Sequence, residues 1–203
     1  MDTETRPLPH FRFHPDPLAT GAIEESEKEC YVCNKQTGYI YSRPFYASGG
    51  GYFCPWCIAS GEAAKKYDGE FQLSTRVEFE VDEFVKFSDG SSDFLRDAKK
   101  CAISEAELSE LVHRTPGYHA WQRAEWLVHC SSPCAFLGYV RWKEIEERLD
   151  KFIDLEGDAN RGIGVSLDHL AWLLSDDEGD IGVGGYLFQC IHCGGFRLHV
   201  DRD

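Results

Sequence analysis

The chain has no apolar run approaching the roughly 18 residues that a membrane-crossing helix needs. Its first stretch, MDTETRPLPHFRFHPDP, lacks a basic flank followed by a hydrophobic segment. The first absence argues against a membrane protein and the second against a secretory leader, so a cytoplasmic location is expected. Positive charge is also scarce, with 21 Lys and Arg against 35 Asp and Glu and a formal net charge of −14. A nucleic-acid surface needs cations to displace counterions from phosphates, so nucleic acid is not the expected partner. HExxH, GxSxG, a phosphate-binding loop and a dinucleotide fingerprint are all missing. No catalytic residue stands out, and the chain is not expected to be an enzyme. What remains, at 42% hydrophobic and 28% charged residues, is the composition of a soluble globular protein.

Cysteine is abundant and paired. Cys30-x2-Cys33 is followed after 20 residues by Cys54-x2-Cys57, and Cys130-x3-Cys134 is answered 55 residues later by Cys190-x2-Cys193. Only Cys101 is left over. In a reducing compartment disulfides rarely persist, and such pairs point to metal. Four thiolates around a tetrahedral zinc form a closed site with no open coordination position. Two structural zinc sites are therefore expected, one from Cys30, Cys33, Cys54 and Cys57, the other from Cys130, Cys134, Cys190 and Cys193. In the second, His129 beside Cys130 is an alternative to one thiolate, and free buried cysteines are the plainer reading. Redox catalysis is the competing use of Cys54-Pro55-Trp56-Cys57, but a thioredoxin-like motif would stand alone inside a βαβ unit.

Along the chain, Phe11 and Phe13 alternate with polar neighbours and suggest a short strand. Two prolines in His14-Pro15-Asp16-Pro17 exclude helix there, and His14 itself reads as a structural or turn residue. Tyr39, Ile40 and Tyr41 favour a strand that returns through Tyr52 and Phe53, a hairpin between two cysteine turns as in a zinc ribbon. Ser60 opens a short helix. Val77, Phe79 and Val81 alternate with acids as in a half-buried strand. Ser104 with Glu107 forms a capping box for a helix through Leu111 and Val112, stopped by Thr115-Pro116-Gly117. Trp121, Trp126 and Leu127 suit a further helix. Another runs from Trp142 to Leu149, with Ile145 and Leu149 on one face. Gly157 to Gly164 reads as a loop, Leu167 to Leu174 as a helix, and GYLFQCIHCGGFRLHVD as strand, knuckle, strand.

The fold class expected is α+β, with small zinc-stapled lobes, zinc-ribbon-like hairpins and several short helices. Residues 1–73 would form an N-terminal ribbon-like lobe, 74–103 a variable connecting segment, and 104–203 a helical lobe closed by the second knuckle, the whole being compatible with one compact domain.

LPHFRFHPDPLATGAIEES, GYIYSRPFY, CPWCIASGEAAKKYDGEF, RTPGYHAWQ, WLVHCSSPCAFLGYV and YLFQCIHCGGFRLHVD together resemble the bacterial CbrC family. The similarity runs from about Leu8 to the C-terminus except for roughly residues 72 to 103. It implies a cytosolic bacterial protein linked to tolerance of a DNase-type colicin, with the cysteine pairs as its metal sites and no catalytic residue to carry over.

The functional expectation is a protein-interaction module that neutralises a nuclease toxin. Such toxins have basic clefts, and the acids Glu144, Glu146, Glu147, Asp150, Asp154, Asp176, Asp177, Glu178 and Asp180 are the candidate contacts. Part of that run is equally a solvated helix face. The alternatives are a zinc-dependent hydrolase and a nucleic-acid-binding zinc ribbon.

Overall fold

The computed structural model describes residues 6–78, 103–175 and 182–203. Its architecture is α+β, with small antiparallel sheets and short helices. Strands β1 (Ile23–Glu29) and β2 (Gln36–Tyr41) pair antiparallel, and the turn between them carries Cys30 and Cys33. Ile23, Ile40 and Tyr41 are buried at the base of this hairpin, while Glu24, Glu25, Glu27 and Glu29 are exposed. Helices α1 (Pro55–Ala59) and α2 (Glu62–Tyr67) follow. The αL conformation of Gly61, at φ 79°, lets the chain turn from one into the other.

Helix α3 (Glu105–Arg114) begins where Ser104 Oγ accepts the Glu107 backbone N–H at 3.2 Å. That bond satisfies one of the N–H groups that the first turn leaves free. Next come a small hairpin, β3 (Val128–His129) and β4 (Ser132–Pro133), then β5 (Ala135–Val140) and α4 (Trp142–Glu146). Helices α5 (Leu155–Ile163) and α6 (Leu167–Leu173) lead to β6 (Val183–Gln189) and β7 (Phe196–Arg202). A three-stranded antiparallel sheet has the order β5-β6-β7. The turn between β6 and β7 carries Cys190 and Cys193.

Three buried clusters hold these elements. Tyr41, Phe53 and Phe71 pack beside Cys30, Cys54 and Cys57. Phe13, Tyr118, Trp126, Phe136 and Phe188 form an aromatic centre that includes Cys134 and Cys190. Ile145, Leu170, Leu174 and Val200 fill the space between the later helices and β7. Backbone bonds tie early residues to late ones: Phe136 N–H donates to Phe13 O at 2.8 Å, and Phe71 N–H to Val112 O at 2.7 Å. No described helix is long and apolar enough to cross a membrane.

Several local expectations change. Phe11 and Phe13 lie in turns, not a strand, and each is buried in a different cluster. His14 is fully buried: its Nδ1 donates to Pro116 O at 2.8 Å and its Nε2 accepts the Thr20 hydroxyl at 2.7 Å. Burial, only partly offset by the Pro116 bond and the nearby Asp16 charge, pulls its pKa down to about 4. Residues 121–127 are irregular, because the Tyr118 hydroxyl bonds Glu125 O at 2.6 Å and Trp126 pairs with Arg76 and Glu78 in a bridge to Val77. Helix α4 stops at Glu146, so Leu149 is 45% exposed and does not share the buried face of Ile145.

Residues 157–164 belong almost wholly to helix α5. Its glycines mark close packing and not a loop: a Cβ on Gly162 would come within 2.5 Å of Val200 O on β7. The expected return strand at Phe53 is a single bridge to Tyr41, since β1 takes the other side of β2. Of the expected strand at 77–81, Val77 and Glu78 are described and the remainder lies outside the described residues, as does Cys101.

Candidate metal centres

The two hairpins β1–β2 and β6–β7 build the same knuckle. Cys30 N–H donates to Lys35 O at 3.0 Å and Cys190 N–H to Gly195 O at 2.9 Å, while Asn34 and Gly194 donate back to the cysteine carbonyls at 2.8 and 3.0 Å. Asn34 and Gly194 both have positive φ, at 55° and 75°. Asn and Gly are the residues that take this conformation most readily. Each knuckle also aims a backbone N–H at sulfur, from Val32 to Cys30 Sγ at 3.4 Å and from Cys193 to Cys190 Sγ at 3.5 Å.

Cys30, Cys33, Cys54 and Cys57 form one group, with all ligand atoms within 4.8 Å of one another. Cys54 adds a second N–H to Cys30 Sγ at 3.2 Å, and Cys33 Sγ lies 3.9 Å from Cys54 Sγ. Sulfurs bound tetrahedrally at about 2.3 Å from an ion stand roughly 3.8 Å apart, so the spacing fits an ion. Helix α1, opened by Pro55 at its N-terminus, brings Cys57 back to this group. Electrostatics agree with the donor set. Burial alone would raise the Cys30 thiol, but the N–H groups of Cys33, Cys54 and Val32 outweigh it and lower its pKa to about 7. Burial raises Cys54 to about 11 and pushes Cys57 higher still, the latter also by the sulfurs beside it. The backbone N–H groups favour the Cys30 thiolate, whereas burial opposes ionisation of Cys54 and Cys57 unless a cation sits among the sulfurs.

The second group is His129, Cys130, Cys190 and Cys193. His129 Nδ1 lies 3.2 Å from Cys130 Sγ and 3.4 Å from Cys193 Sγ. Burial opposes ionisation of Cys190, but the Cys193 N–H and His129 prevail and bring its pKa down to about 6. Cys130 and Cys193 are exposed, whereas three members of the first group are buried. Cys130 and Ser131 both have positive φ, 52° and 58°, as a tight two-residue hairpin between β3 and β4 requires. That hairpin turns Cys130 outward beside His129.

Cys134 is the correction. It is not among these four donors but fully buried in the aromatic cluster, where burial raises its pKa strongly. Its backbone is fixed, N–H to Leu127 O at 2.9 Å and carbonyl to the Trp126 indole N–H at 2.8 Å. Spacing alone could not decide between His129 and Cys134. The signal was the apolar context of Cys134, with Pro133 before it and Ala135-Phe136 after it, which reads as core.

Among the acidic candidates, Glu144, Glu146, Glu147, Asp150 and Asp154 are exposed on one segment. Two of them have local structural work. Glu144 Oε2 accepts the Arg141 N–H at 2.9 Å at the start of α4, and Asp154 Oδ1 accepts the Gly157 N–H at 2.9 Å at the start of α5. Glu147 lies 3.8 Å from Arg148. Asp176, Asp177, Glu178 and Asp180 lie outside the described residues.

Residues 8–202 match a family described as "Uncharacterised protein family (UPF0167)". The UPF0167 protein PA1536 of Pseudomonas aeruginosa is 36% identical over 203 residues, with 97% of each chain covered. The UPF0167 proteins Mb2317 of Mycobacterium bovis and MT2352 of Mycobacterium tuberculosis are each 33% identical over 197 residues, covering 96% of this chain and 93% of the relative. No solved structure matches the chain.

Proposed function

The chain belongs to the UPF0167 family, and we propose that within it this protein is a zinc-stapled recognition module without a catalytic role of its own. The observation that carries the reading is the pair of four-donor groups, one of four sulfurs and one of three sulfurs and an imidazole. Both are donor sets of structural zinc, and a four-donor set leaves no position for water or substrate. Zinc held there would fix two knuckles in place and leave the surface free for binding.

We place the binding on the acidic surface. Glu146 and Asp150 on the segment after β5, and the four exposed glutamates of β1, present negative charge at the surface. With a net charge of −14, the partner this favours is a basic protein. The CbrC-like sequence blocks favour a nuclease toxin, whose DNA cleft an acidic surface would occupy. The test is pull-down with DNase-type colicin domains at low and at high salt. Capture at low salt that fades at high salt is expected; absence of capture at either salt would overturn the assignment.

A further inference from the structure

Beyond that reading, the molecule carries a pocket unconnected to either metal group. It has a volume of about 360 Å³ and lies between the ends of β5 and β6 and the loop at 119–123. That size falls within the range of about 300–1,000 Å³ typical of small-molecule sites. Its walls include Trp121 and Tyr139, which are 48% and 47% exposed although both are large aromatics.

The backbone of the loop that presents Trp121 is tied down by hydrogen bonds. Trp121 N–H donates to Tyr186 Oη at 3.0 Å, and the N–H groups of Gln122 and Arg123 donate to Asp201 Oδ2 at 2.9 and 3.0 Å. The Tyr186 hydroxyl in turn donates to Asp201 Oδ1 at 2.7 Å, and Asp201 is buried. His119 N–H donates to Tyr139 Oη at 3.2 Å, joining the two aromatic walls. A buried polar network thus fixes the backbone of a segment whose indole is left half in water. Such preorganisation lowers the ordering cost of binding.

Gly184 and Gly185, side by side within β6, line the same pocket. A Cβ on Gly184 would stand 2.4 Å from Tyr186 Oη, and one on Gly185 2.7 Å from Val140 O. Glycine pairs weaken a strand interior and mark places where backbone or ligand must approach closely.

Arg141 supplies the chemistry. It lines the pocket, and among the described residues its Nη1 has no hydrogen-bond partner. That nitrogen is screened from solvent, so it meets a ligand anion only once the Arg141 side chain turns toward the cavity. Glu144 lines the same pocket with its Oε2 bound to the Arg141 backbone N–H. Its charge disfavours a dianion such as a phosphate monoester and leaves room for one negative charge on the ligand. We propose that the pocket binds a small planar aromatic monocarboxylate, its carboxylate on the Arg141 guanidinium and its ring against Trp121 and Tyr139.

The probe is indole-3-carboxylate, titrated into the full-length metal-loaded chain by calorimetry and by ¹H–¹⁵N NMR. Indole without the carboxylate and phenyl phosphate as a dianion are the comparison ligands. The expected result is binding at least ten-fold tighter than either comparison ligand, with shifts confined to Trp121, Gly184, Gly185 and their neighbours. Arg141→Gln should erase the advantage over indole, and Trp121→Ala should weaken both ring compounds. Equal affinity for indole and indole-3-carboxylate, shifts located elsewhere, or no binding at millimolar probe would each overturn the proposal. The wild-type comparison of the three probes decides it even if Arg141→Gln fails to fold.

Discussion

The Asp158 carboxylate of α5 grips the Arg197 guanidinium of β7 side-on, at 2.8 to 3.0 Å from Nε and Nη2, with both side chains almost entirely buried. Asp158 Oδ2 also accepts the Leu198 N–H at 2.9 Å, and Glu78 takes Arg197 Nη1 and Nη2 at 3.0 and 2.8 Å. Glu78 then accepts the Val128 N–H at 2.9 Å, one residue before the donor His129. Removing Asp158 leaves the buried Arg197 with Glu78 as its remaining carboxylate, frees Nε and unpairs the Leu198 N–H. Asp158→Ala should therefore cost about 3–5 kcal/mol, read from urea denaturation of the metal-loaded protein. A loss under about 1 kcal/mol would mean that the pair does not hold α5 to the sheet.

His14 predicts an acid-side loss of stability. Its folded pKa of about 4 lies below the ordinary 6.5, so the fold favours the neutral ring. Above pH 6.5 the contribution is complete. As pH falls toward 4 the unfolded chain takes up a proton that the folded chain refuses, and stability drops by about 3 kcal/mol. His14→Gln should be less stable at pH 7 and should lack this slope between pH 6.5 and 4.5 when its denaturation midpoints are compared with wild type. An unchanged slope would assign the acid sensitivity to other groups.

Legibility in the sequence followed how local each signal was. The knuckles, the Ser104 cap and the terminal hairpin are local, and each was readable from a few adjacent residues. The first metal group was legible because its four cysteines sit in tight turns at ribbon spacing. The second was legible in three donors out of four: nothing near Cys134 states that its backbone is locked to Leu127 and Trp126 or that aromatic rings from distant segments surround it. Helix α5 was hidden for a related reason. Its Gly157 and Gly162 look like loop residues until the Asp154 cap is set against the first and β7 against the second. Trp126 has the composition of a helix position, yet its bridge to Val77 draws the chain out of one.

Ser131 gives a prediction from backbone geometry alone. It sits at φ 58° in the tight turn beside Cys130, where side chains other than Gly, Asn or Asp are strained. Ser131→Gly should raise stability by about 0.5–1 kcal/mol without altering metal content, checked by chemical denaturation and metal analysis. A destabilised variant would show that the Ser131 side chain contributes more than its conformation costs.

The two metal groups differ in accessibility, and chelation should follow that order. Cys130 and Cys193 are exposed, while Cys30, Cys54 and Cys57 are buried in a cluster with Phe53 and Ile58. With a colorimetric chelator, metal release should be biphasic, the faster phase coming from the second group. Complete removal should unfold the first hairpin and its two helices, because that cluster is built around the ligand cysteines. Simultaneous release of both ions would show that the two knuckles open together.

Which fourth donor completes the second group can be settled by counting metal. His129 Nδ1 stands within 3.4 Å of two cysteine sulfurs, whereas Cys134 is packed among aromatic rings and outside the donor group. His129→Ala should lower the bound metal from two equivalents to about one, since a three-donor remnant binds far more weakly. Cys134→Ala should keep both and lose about 1 kcal/mol from the unfilled space it leaves. Mass spectrometry under native conditions reads the stoichiometry directly. The reverse outcome, with metal kept by His129→Ala and lost by Cys134→Ala, would require the β3–β4 turn to swing Cys134 out of the core, and a stability loss well above that of a small cavity would accompany it.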